Sequence, residues 1–328
     1  PEKSLAKEAV YSACSENKVE IFKKLIHIYK DDLNSFDEKN RSIVKTAVQN
    51  GSCDIFNEIF ESGIFDVSKY NILDLFTEAL LDPRSFPILQ VLIDYDKKHD
   101  KVIDLTKNLP NGKSVFTSIF SEYQDSISDL VQFFFDNGAD PNIPDSFDQI
   151  PLIYAMDIHF DEYANLLIDS GKIDFTKKFE IKPNPDSDIK GATDKTYLHL
   201  MVENRSISDD FENIFDDIIN SGVDVNSTDS NGETPLMSAC RNRNKHAVRK
   251  LFQRDDLDYQ KCNNDGDDAL KILQKITGKT NTASPDSKEA YLDSLIELIR
   301  NKGFSRRLNP VDDIEENEDN DENKKDYG

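Results

Sequence analysis

Apolar residues along this chain fall into short helical stripes separated by polar turns, and the stripes come in pairs. The clearest pair occupies 229–252, with the sequence DSNGETPLMSACRNRNKHAVRKLF. A turn at Asn231-Gly232 leads into Thr234-Pro235-Leu236. Thr before Pro predicts a helix start, with Thr capping the backbone and Pro at the first helical position. A short helix with the small residues Ala239 and Cys240 follows. A second helix then carries Ala247, Val248, Leu251 and Phe252 at helical spacing. Two short helices and a turn cannot bury an apolar face alone, so the pattern predicts stacking of like units.

The same order recurs at 8–17 with 19–28, 42–51 with 54–67, 113–120 with 129–142, 149–158 with 163–175, and 195–204 with 211–226. Gly138 and Gly171 are 33 residues apart, while Gly171 and Gly222 are 51 apart. The surplus is a Pro-, Asp- and Lys-rich insertion at 177–192. Counting in this way predicts an array over 1–308, with repeats near 5–36, 37–67, 68–110, 111–144, 145–176, 194–228, 229–261 and 262–305. The third has helices at 72–81 and 87–93 and a long connection, 95–112. The last is split by 277–288. From Asn309 the chain is poor in apolar residues and acidic, which predicts a separate disordered tail over 309–328.

These segments resemble ankyrin repeats. Thr234-Pro235-Leu236 matches the family's TPL, and Thr196, Leu198 and His199 match a TPLH with Tyr197 in place of Pro. Asn137-Gly138-Ala139-Asp140-Pro141-Asn142 and Ser221-Gly222-Val223-Asp224-Val225-Asn226 match its helix-ending loop. The resemblance implies an all-α solenoid of paired antiparallel helices with hairpin-like fingers. It assigns structural roles to His199, Thr234, Pro235, Gly138 and Gly222, with His199 tying neighbouring loops by hydrogen bonds. It also implies a non-catalytic scaffold or adaptor that binds a protein. The alternative is a regulatory or assembly segment of a larger ion channel, cytoskeletal linker or host-directed effector.

Charge narrows the partner. The chain carries 63 acidic and 40 basic residues, a net charge of −23. Such a surface repels phosphate, so nucleic acid is not expected. A basic or mixed-charge protein fits it better. No apolar run approaches a membrane span. The four cysteines lack CxxC spacing, which predicts reduced thiols and a cytoplasmic location. The chain begins at Pro1 rather than Met, as a processed chain or a piece of a longer one would.

No catalytic constellation, metal site or cofactor motif emerges. Gly278-Lys279-Thr280 resembles the end of a phosphate loop, but position 273 is Leu where that motif requires Gly. Asp229, Asn231 and Glu233 alternate as a calcium loop begins, as do Asn263, Asp265 and Asp267. The Gly that such a loop needs at its sixth position is replaced by Thr234 or Asp268. Both segments therefore read as turns.

Binding is expected on the polar positions of the first helices and on the fingers. The first helices offer Thr46, Gln49, Ser118, Tyr154, Asp157, Glu203, Ser238, Arg241 and Asn242. The fingers offer Phe36, Phe147 and Asp148. Tyr154 and Phe147 are the aromatic anchors of this set. The acidic tail is a further occupant of the same face, as an autoinhibitory mimic of a partner.

Overall fold

Helix α1 (Glu2–Ser15) packs on α2 (Val19–Tyr29), α3 (Ile43–Gln49) on α4 (Cys53–Glu61), and α5 (Ile72–Ala79) on α6 (Phe86–Lys98). The computed structural model describes residues 2–29, 42–62, 66, 69–99, 101–180, 192–203, 209–278 and 287–300. Phe36, the tail 309–328 and most of the insertion 177–192 and the connection 277–288 lie outside these residues. The chain divides into two units, 1–223 and 224–328.

In the first unit the helix pairs form two rows. The first helices α1, α3 and α5 touch in chain order, and the second helices α2, α4 and α6 do the same. The unit continues with α7 (Ile127–Asp136), α8 (Pro151–Asp157), α9 (Asp161–Asp169), α10 (Tyr197–Glu203) and α11 (Asp209–Asn220), with α9 contacting both α7 and α11. The second unit holds α12 (Pro235–Arg241), α13 (Lys245–Phe252), α14 (Ala269–Thr277) and α15 (Lys288–Arg300). Here α12 packs on α14 and α13 on α15. No strand occurs among the described residues apart from a single bridge, Phe179 with Lys195.

Short helices need caps, because their first N–H groups lack partners within the helix. Ser42, Asn71, Asn244 and Asp268 supply side-chain oxygens to N–H groups two or three residues ahead, at 2.8–3.0 Å. Thr234 does the same for Met237 N–H at 3.4 Å, with Pro235 at the first helical position.

The first unit also has a ladder of side-chain bonds between layers. Ser52 Oγ donates to the Cys14 carbonyl and Ser85 Oγ to Val48 (3.2 Å). Tyr123 OH donates to Leu80 (2.8 Å) and Tyr163 OH to Phe116 (2.6 Å). Cys14, Val48 and Leu80 lie at or near the end of a preceding first helix, where carbonyls run out of helical partners, and Phe116 opens the 3₁₀ turn Phe116–Ser118. The two tyrosines are fully buried, so the bond satisfies both ends at once.

One expected element takes a different form. The stretch 113–120 holds a 3₁₀ turn, Phe116–Ser118, in place of a first helix. Ser114 and Thr117 exchange bonds, with Ser114 N–H donating to Thr117 Oγ1 and Thr117 N–H to Ser114 Oγ, both at 3.0 Å. Such side-chain bonds compete with the helical ladder. Thr117 Oγ1 further donates to Asp145 Oδ2 at 2.8 Å, which fixes the turn against the next finger.

Candidate finger and inner-helix surface

Four fingers, 109–113, 145–149, 229–233 and 263–267, share one hydrogen-bond plan. The N–H of the first residue donates to the carbonyl of the fifth, and the N–H of the fourth donates back to the first, all within 2.7–3.0 Å. The fourth residue has positive φ throughout: Gly112, Asp148, Gly232 and Gly266. In three fingers a buried Asp or Asn builds the turn. Asp145 Oδ1 accepts from Phe147 and Gln149 N–H, Asp229 Oδ1 from Asn231 and Glu233, and Asn263 Oδ1 from Asp265 and Asp267. The alternating acids of 229–233 and 263–267 are thus turn residues. Among the described residues no group of three or more His, Cys, Asp or Glu side chains is placed to hold a metal.

Fingers bond to their neighbours. Ser146 N–H donates to Gly112 O (2.8 Å) and Asn264 N–H to Asn231 O (3.0 Å). Asparagine clips repeat the linkage one layer down. Asn142 Nδ2 donates to Lys172 O and Asn142 Oδ1 accepts from Asp174 N–H, both at 2.8 Å, while Lys177 Nζ reaches Asn142 O at 2.6 Å. Asn226 repeats all three bonds with Asp256, Asp258 and Lys261, at 2.7, 2.8 and 2.9 Å.

A third recurring device is an ion pair spaced by eight residues, from the finger end to the last turn of the first helix. Arg241 Nε lies 2.9 Å from both carboxylate oxygens of Glu233. Lys275 pairs with Asp267, and Lys195 reaches the two oxygens of Glu203 at 2.8 and 2.6 Å with the polarity reversed. The Glu233 bond holds the Arg241 guanidinium above its ordinary range.

The expected surface residues differ in exposure and engagement. Ser118 and Ser238 are buried rather than surface-facing: Ser118 ends the 3₁₀ turn, where its Oγ donates inward to Ser114 O, and Ser238 lies within the buried run Pro235–Cys240 of α12. Asn242 caps α12 through Nδ2 to Ser238 O at 2.9 Å. Arg241 and Glu203 are engaged in ion pairs within their own repeats. Thr46 is half-buried. Gln49 is exposed and touches Glu78 at 3.4 Å, beside the Lys45–Glu78 pair. Asp157 is exposed. His199 is fully buried, and its Nδ1 bonds to Thr196 N–H and Oγ1 at the start of its helix. Gly138 and Gly222 take φ of +83° and +87° just past α7 and α11.

The aromatic anchors come together around finger 109–113. Phe147 is 63% exposed, and its ring edge lies 3.2 Å from where a Cβ on Gly112 would stand. The Lys113 ammonium sits over the Tyr154 ring, 5.8 Å from its centroid. Burial, and then the Asp145 charge, raise the Tyr154 phenol. Lys113 and Asp145 were not legible as site residues. A lysine directly after a finger glycine is the signal that marks the first of them.

Residues 198–274 match the family model for ankyrin repeats, in three copies. This stretch is an array of ankyrin repeats. Among solved structures, an ankyrin repeat protein from Leishmania major is 16% identical, covering 90% of this chain and 97% of that one, with a TM-score of 0.45. The ankyrin repeat domain of Bcl-3, a unique member of the IkappaB protein family, is 14% identical over 70% of this chain and 98% of that one, at 0.43. Comparison with curated proteins finds no match. Ankyrin repeats are generally protein–protein interaction modules. Among the described residues no helix is long and apolar enough to cross a membrane.

The four cysteines are free and differ in access. Burial pushes the Cys14 thiol up to about 12 and Cys240 well above the ordinary range, while Cys262 is exposed. Thiolate is the reactive form. Iodoacetamide at pH 8 is therefore expected to label Cys262 at least about 100-fold faster than Cys14 or Cys240. Peptide mass spectrometry after timed quenching checks this. Equal labelling of Cys240 and Cys262 in the native chain would contradict the burial.

Proposed function

We propose that this chain is a non-catalytic binding module that grips a protein through the surface around fingers 109–113 and 145–149. One observation carries the reading: Phe147 stands exposed on a turn that the buried Asp145 holds through two backbone bonds and a Thr117 contact. A rigid exposed aromatic is suited to act as an anchor, since little side-chain entropy is lost when it is covered. Tyr154, with Lys113 above it, is the second anchor. Lys113, Asp148 and Asp157 surround them with both signs of charge, which fits a basic or mixed-charge partner better than nucleic acid. Four free thiols fit a reducing compartment such as the cytoplasm.

The test is a matched capture from the native cell. Full-length chain and a Phe147→Ala/Tyr154→Ala variant are immobilised, and retained proteins are quantified by mass spectrometry. At least one protein is expected to fall about 10-fold or more with the variant, in line with two anchors each contributing over 1 kcal/mol. Its retention should weaken as salt rises. Identical retained sets from the two chains would sink the proposal.

A further inference from the structure

Helix α13 stands out in an acidic chain. Between residues 234 and 254 the sequence contains Arg241, Arg243, Lys245, Arg249, Lys250 and Arg254, and no Asp or Glu. The helix buries Ala247, Val248, Leu251 and Phe252. That stripe turns the remaining positions outward: Arg249 is exposed, and Lys245, His246 and Lys250 are half-exposed, in two pairs spaced by four. Arg243, at φ +54°, extends the patch at its N-terminal end. The result is one continuous cationic face on a single helix.

We infer that this face of α13 is the docking surface for the chain's own acidic segment, 312–326. Charge complementarity is the first argument. The segment carries nine Asp and Glu against two Lys, the densest acidic stretch in the sequence. Reach is the second. The segment follows α15, and α15 packs on α13, with Lys288 Nζ bonded to Arg254 O at 2.8 Å. Residues 301–311 extend at most about 36 Å, at roughly 3.3 Å per residue, whereas α13 is about 12 Å long. The tether therefore reaches any point on the face. Tethering also raises the local concentration of acidic groups to about the millimolar range, which lets weak individual ion pairs act together. Arg241 and Arg254 at the two ends of the stretch already pair with Glu233 and Asp256, so the face offered is Arg243, Lys245, Arg249 and Lys250. The acids competing for it on the adjoining helix are Glu289, Asp293 and Glu297, an exposed line on α15. The face uses none of the residues of finger 145–149, so it stands or falls apart from the binding role proposed above.

Zero-length carbodiimide cross-linking of the full chain tests the inference, with Lys245 and Lys250 as reporters. At about 50 mM salt, links from these lysines to carboxylates in 312–326 are expected to dominate. Their yield should fall about 10-fold at 0.5 M salt, where the Debye length drops to a few ångströms. An Arg243→Glu/Arg249→Glu variant keeps both reporters and is expected to lose at least fivefold. Circular dichroism verifies that this variant folds. A mixture of isotopically light and heavy chains separates links within one chain from links between chains. Three outcomes overturn the inference: reporters linked mainly to Glu289, Asp293 or Glu297, links found only between chains, or a yield unmoved by the double substitution.

Discussion

Replacing Gly232 by alanine is expected to destabilise the second unit by about 2–5 kcal/mol, the sum of a left-handed backbone penalty and an overpacking penalty. Gly232 has φ +74°, and a Cβ there would lie 2.8 Å from Asn264 N and 2.5 Å from Asn264 Oδ1. Neither neighbour yields easily. Asn264 N–H is held by Asn231 O at 3.0 Å, and Asn264 Nδ2 by Ser230 O at 3.0 Å. Gly138 supplies the control. Its φ is +83°, but a Cβ there meets nothing within 4 Å, so Gly138→Ala should cost only the backbone penalty, about 1–2 kcal/mol. Urea unfolding followed by far-ultraviolet circular dichroism, with hydrogen exchange of α12 and α14 as a local probe, measures both. Equal costs at the two glycines would show that contact between fingers 229–233 and 263–267 does not limit the site.

The second large effect is expected at Asn142. Leucine has a similar shape but can replace neither bond of the clip, leaving Lys172 O and Asp174 N–H without partners. Because Asn142 is buried, Asn142→Leu should cost about 2–4 kcal/mol, one to two unsatisfied groups at 1–3 kcal/mol each. Asn226 makes the corresponding bonds, at 2.7 and 2.8 Å, where water can replace them. Asn226→Leu should therefore cost about 1 kcal/mol or less. Thermal melts of the two variants decide whether burial or bond geometry sets the energy. If Asn226→Leu proved as damaging as Asn142→Leu, the burial argument would be wrong.

The helix pairs were legible because their signals are local. Thr234-Pro235 marks a helix start by its own stereochemistry, and Gly138 and Gly222 mark helix ends by theirs. The turns at Asp229 and Asn263 were readable for the same reason. What the sequence hid depends on the neighbouring layer. Ser118 and Ser238 are polar residues at first-helix positions that would face solvent in an isolated helix, yet they are buried in the fold. Tyr123 and Tyr163 are core aromatics. Their hydroxyls find acceptors 43 and 47 residues away, a pairing that periodicity within one helix cannot encode. The ion pairs Glu233–Arg241 and Asp267–Lys275 fall between these cases. Their spacing of eight residues was present in the sequence, but it becomes a signal only once the finger is known to fold back beside the helix.

The bridge between Phe179 and Lys195 has a practical corollary. Two backbone bonds, at 2.8 and 3.1 Å, and the packing of Phe179 on Tyr197, with centroids 4.9 Å apart, fasten both ends of the intervening sequence to the fold. Closing a loop costs only about 0.6 kcal/mol more for each doubling of its length. The number of residues between these two anchors is therefore nearly decoupled from the stability of the rest. That makes the stretch a natural seam for grafting: an epitope, a fluorescent domain or a second recognition element spliced there would be carried by a frame that already closes without it.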